Sequence, residues 1–192
     1  LEENKTYYIS ASADGYEDLF EAFIPKERGE HRVLLTKKDE GSKEAAIWNF
    51  DKESKTLKGF KDGENYDNSN VLEIPASIDG VPVEKIDKNA FKHALWGSNV
   101  KNSITELHIP ASVKSIEAEA FKGHKTLIKL SIEENSQLAK IGDSAFMSAS
   151  LEELTLPSSV KEIGEDAFSM NNIKALMLPE GLEKLGKGAF GC

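Results

Sequence analysis

The chain has 192 residues, 39% of them hydrophobic and 30% charged, with a formal net charge of −9. This is enough chain for one or two folded domains, somewhat less apolar than a compact globule. An acidic sequence without a lysine or arginine stripe cannot displace phosphate counterions, so nucleic acid is excluded as a partner. No apolar run approaches the roughly 18 residues of a membrane-spanning helix, and the lone Cys192 excludes an internal disulfide framework or a multi-cysteine zinc site.

Residues 1–38 read as a small all-β element. Tyr7–Ala13 has strand propensity, Asp14-Gly15 is a turn signal, Asp18–Ile24 is apolar and ends at Pro25, and His31–Thr36 follows a turn at Arg28-Gly29. Three strands in a meander are expected. The stretch Tyr8–Tyr16 with the later Val33 and Leu35 resembles the closing strands of surface β-sandwiches of the PEGA or carboxypeptidase-regulatory type. The same residues also suit an N-terminal cap lying against the remainder of the chain. Lys37–Lys43, KKDEGSK, is a charged, glycine-containing break, so the domains are placed at 1–38 and 44–192 with a linker at 39–43.

Residues 44–70 read as a hairpin, Ala46–Phe50 against Thr56–Phe60. Trp48, Phe50 and Phe60 are expected to form an apolar lid on the first repeat, since a terminal coil has no neighbour on one side. After it, one phrase recurs five times. Its clearest form is Leu151–Phe168, LEELTLPSSVKEIGEDAF, and the copies end at Phe91, Phe121, Phe146, Phe168 and Phe190, in steps of 30, 25, 22 and 22 residues. A period in this range marks a solenoid. The first repeat carries an insertion with the hairpin signal Asp79-Gly80, and the third adds residues near Glu133–Ser136 and lacks the proline found in the others. The chain starts without methionine and stops in mid-repeat, so it reads as a piece of a longer protein and the absence of a targeting signal carries no weight.

The phrase explains a coil. In Leu154-Thr155-Leu156 the leucines face one side of a short strand and Thr155 the other. Proline then ends the strand, because it cannot donate to the ladder. Val160 and Ile163 return the chain over the core, and Asp166-Ala167-Phe168 suits a short helical turn with alanine where packing is tight. One repeat buries too few side chains to hold itself together, so neighbours must stack.

The pattern LxxLxLPxxVxxIGxxAF of Leu151–Phe168 and Ile173–Phe190 resembles the BspA-type leucine-rich repeat, over residues 44–192. The resemblance implies an α/β repeat fold: a right-handed solenoid of short strands and short helical turns. It also implies a non-catalytic adhesion or binding module of a bacterial cell-surface or secreted protein, with a protein or an extracellular-matrix or host-surface macromolecule as partner. The alternatives are a spacer or targeting arm of a larger surface enzyme, such as a polysaccharide hydrolase, and an intracellular interaction scaffold.

Solenoids bind along exposed faces. The outward strand positions form two columns, Val71, Glu106, Lys129, Glu153, Ala175 and Glu73, His108, Ser131, Thr155, Met177. Their candidate partner-binding members are Glu73, Glu106, His108, Lys129, Ser131, Glu153, Thr155 and Met177; the bland alternative is a plain solvated sheet. Trp96 lies in the longest junction between repeats, Lys92–Ser103, and is either an interface anchor or a residue packed on its own scaffold. No catalytic, cofactor or metal site is expected. The acidic loop Asp62–Asn68 misses calcium-loop spacing, and His31, His93, His108 and His124 occupy unrelated repeat positions with no HExxH-type pair. No serine sits in a GxSxG elbow.

Overall fold

The computed structural model describes residues 7–11, 19–23, 47–61, 70–91 and 104–191. The chain divides into two compact units, Leu1–Ser42 and Lys43–Cys192. In the first, β1 (Tyr7–Ala11) and β2 (Leu19–Phe23) pair antiparallel, with Ile9 opposite Glu21. The third strand expected at His31–Thr36, the linker and the acidic loop Asp62–Asn68 lie outside the described residues.

The second unit is a coil of parallel strands. A hairpin of β3 (Trp48–Asp51) and β4 (Thr56–Phe60) opens it. Each repeat then supplies two short strands. The first of each pair are β5 (Val71–Glu73), β9 (Glu106–Ile109), β11 (Lys129–Ile132), β13 (Glu153–Thr155) and β15 (Ala175–Met177). The second are β8 (Lys85–Ile86), β10 (Ser115–Ile116), β12 (Lys140–Ile141), β14 (Glu162–Ile163) and β16 (Lys184–Leu185). In the first repeat the insertion folds as the expected hairpin, β6 (Ser77–Ile78) against β7 (Val81–Pro82). Its turn residues Asp79 and Gly80 both have positive φ, 49° and 75°, the pairing that a tight two-residue hairpin turn requires.

The second strands form one seven-stranded sheet that runs without a break from β16 to β4 and ends on β3. The first strands do not. They make a three-stranded sheet, β5-β9-β11, and a separate two-stranded sheet, β13-β15. Between the two walls lies the core. The six residues expected there in the fourth repeat, Leu154, Leu156, Val160, Ile163, Ala167 and Phe168, are all buried.

At one corner the repeat phenylalanines stack. Phe91, Phe121, Phe146 and Phe168 follow each other at centroid spacings of 5.2 Å, and Phe190 follows at 5.5 Å, every pair within 9° of parallel. Trp48 and Phe60 close the column edge-on over Phe91, at 6.1 and 5.4 Å. They form the lid foreseen from the sequence, with Phe50 half-buried beside the core.

The helical turns do not form: none of the five repeats contains a helix among its described residues. The residue two before each phenylalanine has a left-handed backbone instead, as at Glu119 (φ 57°), Ser144 (53°), Asp166 (52°) and Gly188 (65°). The physical reason is where the amides go. Phe121, Phe146 and Phe168 donate to the carbonyls of Ala145, Ala167 and Ala189 in the next coil, at 2.7–2.8 Å. A helix would turn those donors back on their own segment; here they join one coil to the next.

A further polar device closes this corner. Asn171 Nδ2 donates to the carbonyls of Phe146 (2.8 Å) and Phe168 (2.9 Å). His124, three residues after Phe121 as Asn171 is after Phe168, is buried and sets its Nε2 on the carbonyl of Phe91. The histidine thus satisfies a carbonyl inside the stack, where a buried acceptor left without a partner would be costly.

Candidate functional site

The first strands place their outward side chains in the columns expected from the sequence, because side chains alternate strictly along a strand. Val71 and Lys129 flank Glu106, and Glu73 and Ser131 flank His108, in parallel register. On the second sheet Glu153 stands beside Ala175 and Thr155 beside Met177.

Five of the candidate residues form one polar network centred on Glu106. Its carboxylate takes an ion pair from Lys129 and a hydrogen bond from Ser131 Oγ at 3.2 Å. His108 Nε2 lies 2.8 Å from Glu106 Oε1, so that nitrogen carries the hydrogen. The other ring nitrogen lies 3.8 Å from Glu73 Oε1. The Glu106 side chain is 23% exposed although it faces outward, because its partners cover it.

The hydrogen bond from Lys129, then that from His108, hold Glu106 well below the ordinary carboxylate value of 4.5, at about 2, against a smaller opposing effect of desolvation. A depressed folded-state value means that the contribution to stability is complete above pH 4.5 and is lost as pH falls from there through about 2. A carbon-detected NMR titration of Glu106 should find its midpoint near 2, moving toward 4.5 in Lys129→Met. An ordinary midpoint in the unmodified protein would mean that the ion pair is not held in solution.

The network stops at β11. Glu153, Thr155 and Met177 stand on the neighbouring sheet and are exposed, Met177 by 72%. Nearby, Lys174 Nζ pairs with Glu152 at 2.8 Å, which raises the lysine's pKa. Trp96 lies outside the described residues. The face therefore has two parts, a pre-tied polar cluster and a more open strip.

Between them is a feature that sequence reasoning missed. β11 and β13 belong to different sheets, and where they fail to pair a cavity of about 280 Å³ opens, lined by Ile128, Lys129, Leu130, Glu152, Glu153 and Thr155. Proline chemistry removes one rung. Glu133 N–H donates to the Ile109 carbonyl at 3.0 Å, extending the β9–β11 ladder, whereas one coil further on Pro157 has no N–H to give Ile132; Pro110 and Pro179 lack the same donor in the β5–β9 and β13–β15 pairs, which form nonetheless. The core residues Leu130 and Ile132 are half-buried, where Leu107 and Ile109 of the preceding coil are buried. One signal was legible. At the position just before the strand the repeats carry Asn70, Thr105, Ile128, Glu152 and Lys174, so Ile128 is the apolar exception, and it is 47% exposed.

The opposite wall carries charges that alternate between coils. Lys55 and Lys114 both hold Glu84, at 2.7 and 2.8 Å, and Lys140 holds Glu117 at 3.2 Å. Exposed pairs of this kind add little to stability. Among the described residues no group of three or more histidine, cysteine, aspartate or glutamate side chains is placed to hold a metal ion, and no helix is long and apolar enough to cross a membrane.

Parallel coils around a recurring aliphatic and phenylalanine core, with varied residues on short outward strands, define a leucine-rich-repeat solenoid. Residues 84–192, more than half of the chain, match six copies of the BspA type leucine rich repeat region. The protein belongs to that family. A leucine-rich repeat protein from Bacteroides ovatus is 28% identical, with a TM-score of 0.59 over 74% of this chain and 36% of its own. The T. pallidum leucine-rich repeat protein TpLRR, at 23% identity and TM-score 0.60, covers 77% of this chain and 64% of its own. The pneumococcal vaccine antigen PcpA, at 24% identity and TM-score 0.54, covers 71% of this chain and 42% of its own. These last two share the fold, and the chain spans between 36% and 64% of the length of the three proteins. No curated protein sequence matches it. The family match lies within residues 84–192 and lends no support to the β-sandwich resemblance of residues 1–38.

Proposed function

We propose that this chain is a non-catalytic binding or adhesion module of a bacterial cell-surface or secreted protein. It holds a protein or another macromolecule, such as matrix or host-surface material, on the outward face of β5, β9, β11, β13 and β15. The observation that carries this reading is the in-register cluster of Glu73, Glu106, His108, Lys129 and Ser131. Side chains already held in place lose little freedom when a partner arrives, so a pre-tied polar face favours association. The surface or secreted location rests on the family resemblance.

Presenting the full chain to an array of matrix proteins and glycans tests the reading. Any captured partner should bind the Glu106→Lys and Glu153→Lys proteins more weakly, by roughly threefold or more each, as changes to exposed ion pairs do. Unchanged binding by both would reject this face. The mixed charge of the face, without an aromatic cluster, also suits the alternative of a spacer or targeting arm on a larger surface enzyme. An array with no bound partner would favour that alternative.

A further inference from the structure

The seam between β11 and β13 combines three properties. It exposes aliphatic surface: among its lining residues Ile128 is 47% exposed and Leu130, two residues on, is half-buried. Its volume, about 280 Å³, is room for an aliphatic side chain together with part of its backbone. Its lining carries an unpaired charge. Lys129 is engaged by Glu106 and Glu152 by Lys174, whereas the Glu153 side chain has no hydrogen bond or ion pair with another described residue and feels Lys174 only at longer range.

We infer that this seam is an anchor pocket for an extended protein segment that presents a leucine-like side chain next to a lysine or arginine. The aliphatic side chain enters between Ile128 and Leu130, and the neighbouring cation meets Glu153. Burying aliphatic surface supplies the attraction, and the exposed carboxylate supplies the preference for a basic neighbour over an acidic one. A glycan fits less well. The lining offers no aromatic ring against which a sugar face could stack. This inference rests on the proposal that the outward face binds macromolecules, and it names where on that face and with what chemistry.

The test uses the full chain with labelled isoleucine and leucine methyl groups and three probes: the peptides acetyl-Gly-Leu-Lys-Gly-amide and acetyl-Gly-Leu-Glu-Gly-amide, and maltotriose. The Leu-Lys peptide should shift the Ile128 and Leu130 methyl signals saturably in the millimolar range. The Leu-Glu peptide should bind about threefold to fivefold more weakly, the scale of one exposed ion pair. Glu153→Gln should remove that difference. Ile128→Thr should abolish the shifts while the other methyl signals stay in place, because repeat two carries Thr105 at the same position. Unmoved seam methyls, equal response to both peptides, or a stronger response to maltotriose would each overturn the inference. If the seam is silent yet an array partner is lost with Glu106→Lys, the pocket fails and the broader reading of the face survives. If the seam responds but Glu106→Lys and Glu153→Lys both leave array binding unchanged, the pocket stands and the broader face does not.

Discussion

Phe146→Ala should lower the unfolding free energy by about 3–5 kcal/mol, the usual loss for a buried phenylalanine. Phe146 is fully buried, with Phe121 and Phe168 each 5.2 Å away on its two faces. Truncation removes the ring and also a stacking partner from each neighbour, and such aromatic pairs are worth about 0.5–1.5 kcal/mol beyond the area they bury. The site cannot collapse to fill the gap, because coil spacing is fixed by amide ladders such as Phe121 N to Ala145 O and Phe146 N to Ala167 O, both 2.8 Å. A solenoid depends on contacts between neighbouring coils, so the urea transition followed by circular dichroism should move to lower concentration and can divide in two. Phe190→Ala, at the end of the ladder with one described ring neighbour and a half-buried side chain, serves as the comparison and should lose clearly less. Equal losses at both positions would show that stacking across coils is not what the ring contributes.

The second large effect concerns a position where no side chain fits. Gly142→Ala should cost about 1–3 kcal/mol as overpacking. A Cβ there would lie 2.6 Å from Ala118 N and 2.7 Å from Glu117 C, both backbone atoms of the preceding coil. Those atoms cannot swing away, since the Gly142 amide donates to the Ile116 carbonyl at 2.7 Å and ties the two coils together at that point. The control is Gly181→Ala, whose Cβ would meet the end of the flexible Lys161 side chain at 2.6 Å. Its effect should stay within about 0.5 kcal/mol, as for ordinary surface changes. Comparable midpoints for the two variants in thermal unfolding would refute the contrast.

Gly142 directly follows the apolar end of its second strand, a position where the repeats carry Asp87, Glu117, Gly142, Gly164 and Gly186. From the third repeat on, the requirement is closeness. Candidate Cβ atoms at Gly164 and Gly186 would come within 2.6 Å of backbone in the coil before.

Whatever depends on one coil at a time was legible in the amino-acid pattern. Period-two alternation and recurring apolar spacing assigned Leu154, Leu156, Val160, Ile163, Ala167 and Phe168 to the core and set Glu106, His108, Glu153 and Thr155 outward. Atypical residues at the first coil marked the lid of Trp48 and Phe60. What arises between coils came from their stacking. Side chains 23 to 25 residues apart, Lys129 with Glu106 and Ser131 with Glu106, converge on one carboxylate. The turns at Asp166-Ala167-Phe168 gave up a helix because their amides were needed by the next coil. The seam falls between β11 and β13, which lie in separate sheets, although prolines at the same repeat position, Pro110 and Pro179, are tolerated in the pairs β5–β9 and β13–β15. Local pattern sets which way a side chain points; which neighbour it meets depends on how coils stack, and that is fixed by long-range contacts that no single repeat contains.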